Sequence, residues 1–179
     1  MATIRTTELD HHYASETDLR MMQRAIELAY EAWDVKEVPV GAVVYRGEEV
    51  IAEAYNLRES DRDPTAHAEV LALRQASQVL SEWRLNDCSM AVTLEPCPMC
   101  AGAIINARLG RLVYGANDPK MGAVESLYEL CDDTRFNHQP QIIRAVLAPE
   151  CRGILRQFFK ERRRENKLAR QAARLNLAE

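Results

Sequence analysis

The order of the apolar segments constrains this chain most. Val40-Gly41-Ala42-Val43-Val44-Tyr45 reads as a buried strand, Arg46–Glu49 as a turn around Gly47, and residues 50–55 as the returning strand of a hairpin. After the hairpin, helices and strands alternate. Asp63 or Thr65 caps a helix that carries Pro64 in its first turn and runs to about Leu80. Residues 88–94 form a strand in which Met90, Val92 and Leu94 alternate with smaller residues, and a small-residue helix follows to about Ala107. Leu112–Gly115 is a short strand, residues 116–123 a loop, residues 142–148 a fifth strand, and about Pro149 to Ala173 one long helix. Ahead of the hairpin, Ser15 and Asp18 mark the start of an amphipathic helix over residues 16–34, with Leu19, Met22, Ile26, Ala29 and Trp33 at helical spacing. A hairpin followed by such alternation predicts an α/β fold of three layers around one mixed five-stranded sheet.

The 179 residues suit one domain, expected over residues 15–174, with a flexible extension at 1–14 and a short tail at 175–179. The net charge of −4 excludes a uniformly basic nucleic-acid binder, but it conceals a split. Residues 1–151 hold 14 Lys/Arg against 24 Asp/Glu, a net of −10; residues 152–174 hold nine basic residues against two acidic, a net of +7. That asymmetry marks an interaction tail, and the Arg162-Arg163-Arg164 run points to phosphate contact. No apolar run reaches the 18 or more residues of a membrane span, and the polar start has no apolar core like that of a signal peptide. A cytoplasmic protein without membrane contact is expected.

Four residues carry the chemistry: His67, Glu69, Cys97 and Cys100. One imidazole and two thiolates are good zinc ligands. Structural zinc sites close with four protein ligands, whereas catalytic sites use three and keep a position for water. The remaining His11, His12 and His138, and Cys88, Cys131 and Cys151, sit in no second CxxC or HxxxH pair. An open three-ligand site is therefore the better reading, with those three cysteines as buried fillers. Both ligand groups fall at expected helix starts, His67 in the first turn after Pro64 and Cys97 just before Pro98, where the positive end of the helix favours a thiolate. Glu69 is two residues from His67, a rotation of about 200° on a regular helix, so the two can serve one site only at a helix end. There one reaches the metal and the other flanks its water. Zinc lowers the pKa of a bound water to about 7, and a carboxylate beside it can take the proton and pass it to a leaving group. Attack on a carbon that bears an amino group, with the proton delivered to that amine, is hydrolytic deamination. His-x-Glu followed by Pro-Cys-x-x-Cys is the established signature of the zinc deaminases.

Further matches are Glu37-Val38-Pro39-Val40-Gly41-Ala42-Val43, Asn56, Asp63-Pro64-Thr65-Ala66-His67-Ala68-Glu69, Val92-Thr93-Leu94-Glu95-Pro96-Cys97, Cys100-Ala101-Gly102-Ala103, Tyr114-Gly115-Ala116, Asp118 and Gly122-Ala123. On these, over roughly residues 17–165, the chain resembles the bacterial tRNA-specific adenosine deaminases, which convert the wobble adenosine of a tRNA anticodon to inosine. The resemblance implies a cytidine-deaminase-like α/β/α sandwich, a homodimer, and one zinc per subunit on His67, Cys97 and Cys100, with Glu69 shuttling protons. It also implies that Asn56 contacts base and ribose, that the Ala68 backbone forms part of the base pocket, and that Asp118 meets the neighbouring sugar. Phe158 and Phe159, with Arg162 and Arg163, would lie against the anticodon stem-loop. Turn chemistry alone also accounts for an asparagine after a strand and an aspartate before Pro119.

Two other readings share these residues. A free-base or nucleoside deaminase, acting on guanine, cytidine or adenosine, would carry the same zinc signature, since fold does not fix substrate. A basic terminal helix has no use for so small a substrate. A non-catalytic zinc-containing RNA-binding module is the other, and it leaves Glu69 without a purpose.

Overall fold

A computed structural model of the chain describes residues 13–176. Its elements are α1 (Glu16–Asp34), β1 (Gly41–Arg46), β2 (Glu49–Tyr55), α2 (Ala68–Leu80), β3 (Ser89–Leu94), α3 (Pro98–Asn106), β4 (Arg111–Ala116), β5 (Gln141–Ile143) and α4 (Ala148–Asn176), with a 3-10 turn at Leu130–Asp132. The strands lie in the order β2-β1-β3-β4-β5. The hairpin and the β1–β3 pair are antiparallel, while β3–β4 and β4–β5 are parallel, so the sheet is mixed as expected.

Neighbouring residues of each central strand serve opposite cores. Val44, Met90, Leu112 and Ile142 face a core shared with Ala68, Ala72 and Ala76 of α2 and Ala101 and Ile104 of α3. Val43, Ala91, Val113 and Ile143 face a second core with Met21, Met22, Ala25 and Leu28 of α1 and Cys151 of α4. That period-two division, with helices against both faces, is the three-layer α/β/α sandwich. Small residues set the layer spacing. A Cβ on Gly41 would stand 2.1 Å from the Ala25 carbonyl, so α1 can approach β1 this closely only over a glycine.

Three boundaries differ from the sequence expectation. Residues 63–66 form a turn, Ala66 N donating to the Asp63 carbonyl at 3.1 Å, and α2 starts at Ala68 rather than near Pro64. The fifth strand ends at Ile143 instead of running to 148. Ala145 and Leu147 take positive φ angles of 61° and 50°, which break the extended run and swing the chain into α4. The long helix continues to Asn176, past the expected start of a tail at 175; residues 177–179 lie outside the described residues, as do residues 1–12 of the expected N-terminal extension. Tyr13 is held by its carbonyl, which accepts from Arg111 Nη2 at 3.5 Å.

The register brings several segment ends to one edge of the sheet. The carboxyl end of β3 lies beside the start of antiparallel β1 and the carboxyl end of parallel β4, and β2 ends opposite Gly41. Asn56, the β3–α3 turn and the loop after β4 therefore meet at this edge, beside the start of α2.

Candidate active site

His67 is the N-cap of α2 and Cys97 the N-cap of α3, each in extended backbone conformation, with φ/ψ of −78°/147° and −73°/173°. An N-cap side chain ordinarily bonds back to the helix. Neither does so here. Both turn instead toward Cys100, one turn into α3. Cys97 Sγ lies 3.6 Å from Cys100 Sγ and 3.7 Å from His67 Nδ1, and Cys100 Sγ lies 3.5 Å from the same nitrogen. Three such atoms at nearly equal separations could hold a metal ion as one face of a tetrahedron. The extended backbone at His67 also resolves the helical-spacing conflict with Glu69. His67 stands outside the helix, so the 200° rotation does not apply, and both side chains line one cleft.

That cleft has a volume of about 240 Å³ and is walled by Val38, Val40, Leu94 and Met121. Its polar groups are Asn56, Arg58, Glu69, Glu95, Asp118 and the half-buried His67 and Cys97, while Cys100 lies behind them, fully buried. The triangle thus shows its open side to the cleft. Its volume falls below the roughly 300–1,000 Å³ of common small-molecule pockets, and suits one base rather than a whole nucleotide.

The three groups and Glu69 act strongly on one another electrostatically. Cys97 is pulled down to about 4 by the hydrogen bond from Cys100 and by His67, against its burial. Cys100 is pushed far up because its thiol donates to Cys97 and is buried. His67 is raised by its hydrogen bond with Cys97. Glu69, 4% exposed, is raised above the carboxylate range by burial, with the Cys97 charge adding to it. A carboxyl that gives up its proton reluctantly in such surroundings is suited to proton transfer.

The other expected contacts separate into two places. Asn56, Ala68 and Asp118 line the cleft. Phe159 and Arg163 line an adjoining groove with Lys120, Met121, Arg152 and Arg156. Phe158 does not face either: it is 4% exposed and packs edge-on against Trp33 at 5.6 Å, so the ring expected to meet RNA is a packing residue. Arg162 lies over that ring at 5.9 Å rather than in the groove. The sequence reading missed Arg152 and Arg156. Their signal was the spacing 152, 156, 159, 163, one face of a helix. It also assigned no role to Arg58, Glu37 or Glu95. Buried Glu37 accepts from Asn56 Nδ2 at 3.0 Å and from Ser60 N at 2.6 Å, and so fixes the asparagine amide.

A family model for MafB19-like deaminases matches residues 16–163. The tRNA-specific adenosine deaminase of Bacillus subtilis (strain 168) is 46% identical over 158 residues, covering 88% of this chain and 96% of that protein. A solved structure from work on A-to-I editing by tRNA:A34 deaminases at the wobble position of transfer RNA is 41% identical, with a TM-score of 0.73, over 76% of this chain and 99% of that one. The structure of a guanine deaminase from Bacillus subtilis is 42% identical, with a TM-score of 0.53, over 55% of this chain and 63% of that one. The ligand triangle at two helix starts and near-complete coverage of a relative at this identity agree: the chain belongs to the tRNA-specific adenosine deaminases, within the MafB19-like deaminase family.

Proposed function

We propose that this protein converts the wobble adenosine of a tRNA anticodon to inosine by hydrolytic deamination, as a cytoplasmic homodimer with one zinc per subunit. The observation that carries the reading is the ligand triangle with Glu69 beside it in a cleft that suits one base. Tetrahedral bonds of about 2.3 Å to sulfur and 2.0–2.1 Å to nitrogen set S···S edges of about 3.8 Å and S···N edges of about 3.5 Å. The observed edges are 3.6, 3.7 and 3.5 Å, so His67, Cys97 and Cys100 fit zinc. Zinc bound there supplies a water acidic enough to lose a proton near neutral pH.

Glu69 takes that proton and delivers it to the exocyclic amine. The water oxygen joins C6 of the purine, the C6–N bond breaks, and ammonia leaves. Asn56, with its amide fixed by Glu37, and the Ala68 backbone orient the base, and Asp118 meets the adjoining sugar. Val38, Val40, Leu94 and Met121 keep bulk water from the ring. Phe159 and Arg163, with Arg162 nearby, hold the anticodon arm. Such a loop is already single-stranded, so presenting one base costs less than the few kcal/mol of extracting it from a duplex.

The test is incubation of the zinc-loaded protein with an anticodon stem-loop, followed by sequencing for inosine at the wobble position and metal analysis for one zinc per chain. Free adenosine, guanine and cytidine serve as competing substrates. The likeness to a guanine deaminase gives the second reading its specific support, and efficient turnover of guanine with an unchanged stem-loop would establish it instead.

A further inference from the structure

Glu95 is a buried carboxylate, 2% exposed, that neither belongs to the ligand triangle nor has a part in the proton transfer described above. Its two oxygens accept from five donors, all in the loop that follows β4. Oε1 accepts from the amides of Val124 at 3.1 Å, Glu125 at 2.8 Å and Ser126 at 2.9 Å. Oε2 accepts from the amide of Asp118 at 2.9 Å and from the Ser126 hydroxyl. The loop closes tightly around the carboxylate: a Cβ on Gly122 would stand 2.3 Å from Glu95 Oε2 and 2.6 Å from the Asp118 carbonyl. The main chain repeats the connection, with Glu95 N donating to Ala116 at 2.8 Å and Ala123 N donating to the Pro96 carbonyl at 2.9 Å.

The residue stands at a junction. Its backbone leads directly through Pro96 into the ligand Cys97, while its side chain gathers the loop that carries Asp118 and Met121 to the cleft. A buried carboxylate whose two oxygens take five donors is held as one connected network, more firmly than its separate bonds imply.

We propose that Glu95 is a positioning residue for the substrate, joining residues 117–126 to the metal-holding turn so that Asp118 and Met121 meet the target nucleotide at a fixed distance from Glu69. This rests on the functional reading above. It assigns the residue to substrate engagement, not to the chemical step, so its loss should fall on KM.

The test is Glu95→Gln in the full zinc-loaded chain. Glutamine keeps the shape but replaces one acceptor oxygen by a donor, which no rotation can reconcile with five donors. One unmatched buried group costs about 1–3 kcal/mol, so KM for the stem-loop should rise about tenfold, with kcat little changed. Zinc per chain should be unchanged, and hydrogen exchange should quicken at the amides of Asp118, Val124, Glu125 and Ser126. Loss of kcat or zinc at constant KM would place Glu95 with the metal, and faster exchange with unaltered kinetics would make it structural only; either overturns the proposal. Ser126→Ala removes one donor and leaves the carboxylate, and should raise KM about threefold. An unchanged KM there overturns the proposal even if Glu95→Gln fails to fold. If the wild-type chain leaves the stem-loop untouched, the functional reading fails, while the exchange comparison still reports on the loop.

Discussion

At the residue scale the site depends on where single carboxylates sit. Glu69→Ala should leave the zinc content and RNA binding intact and reduce deamination by about 10²–10⁴-fold, the usual contribution of a positioned acid–base group. Inosine formation, metal analysis and an RNA-binding titration on one preparation check this. A non-catalytic module would show no activity to lose. Glu37 acts one step back. Glu37→Ala leaves the buried Asn56 amide without its acceptor, at about 1–3 kcal/mol, while the exposed Ser60 N–H can turn to water, so both thermal stability and kcat/KM should fall while zinc remains. The contrast between these carboxylates explains what was legible. His67, Glu69, Cys97 and Cys100 announce themselves because ligand types repeat at fixed short spacing. Glu37 and Glu95 have partners 19 to 31 residues away, and nothing local distinguishes them from solvated acids.

At the scale of elements, the succession of strands and helices and their layering were readable because both sheet faces are covered and period-two patterns survive. The ends of elements were less so. Local capping rules start α2 at Pro64, yet the chain first forms a turn and delays the helix until His67 has turned toward Cys97 and Cys100. The β5 boundary failed because the apolar residues 145–148 look extended, while positive φ at Ala145 and Leu147 is a demand of the route into α4. Helix α1 shows how a legible local signal hides a tertiary one. At the expected helix start Ser15 and Asp18 form a capping box, with Asp18 N donating to Ser15 Oγ at 3.1 Å and Ser15 N to Asp18 Oδ2 at 2.7 Å. The other oxygen of Asp18 accepts from Tyr45 Oη and from Arg111 Nη1, each at 2.6 Å, fastening α1 to β1 and β4. Asp18→Ala should therefore cost about 3 kcal/mol, the low end for breaking a buried pair because Arg111 keeps some solvent, rather than the ~1 kcal/mol of a lost cap. Burial pushes the Asp18 carboxyl up, but the Tyr45, Ser15 and Arg111 interactions outweigh it and hold it below the usual range. A depressed folded pKa contributes stability above the ordinary carboxylate pKa, and that stability is lost as pH falls through the folded value. The wild-type chain should lose stability below about pH 4 more steeply than Asp18→Ala does, as urea titrations across that range would show.

For the whole molecule, the charge split acquires a geometry. Helix α4 docks through Cys151, Ile154 and Phe158, and from Phe159 to Ala173 every residue is exposed. Its 29 residues extend about 44 Å at 1.5 Å per residue, so the basic half reaches beyond the acidic body. One face of its docked half, Arg152, Arg156, Phe159 and Arg163, forms the wall of a groove that shares Val38, Leu94, Asp118 and Met121 with the catalytic cleft. The wall sets three arginines beside a body of net negative charge, the arrangement that would steer a polyanion toward the cleft that holds Glu69. Replacing Arg152, Arg156 and Arg163 together by Gln removes three cations from that wall and leaves the His67, Cys97 and Cys100 triangle untouched. Each lost contact to a single-stranded phosphate should lower the slope of log K against log salt by about 0.7, a total of about two units. Fluorescence anisotropy of a labelled stem-loop, titrated from low to physiological salt, reads the slope directly. A full-length slope with weakened activity would mean that the arginines shape the groove without meeting phosphate. A reduced slope with kcat preserved at saturating RNA would show that the charge split serves to deliver the anticodon to the cleft.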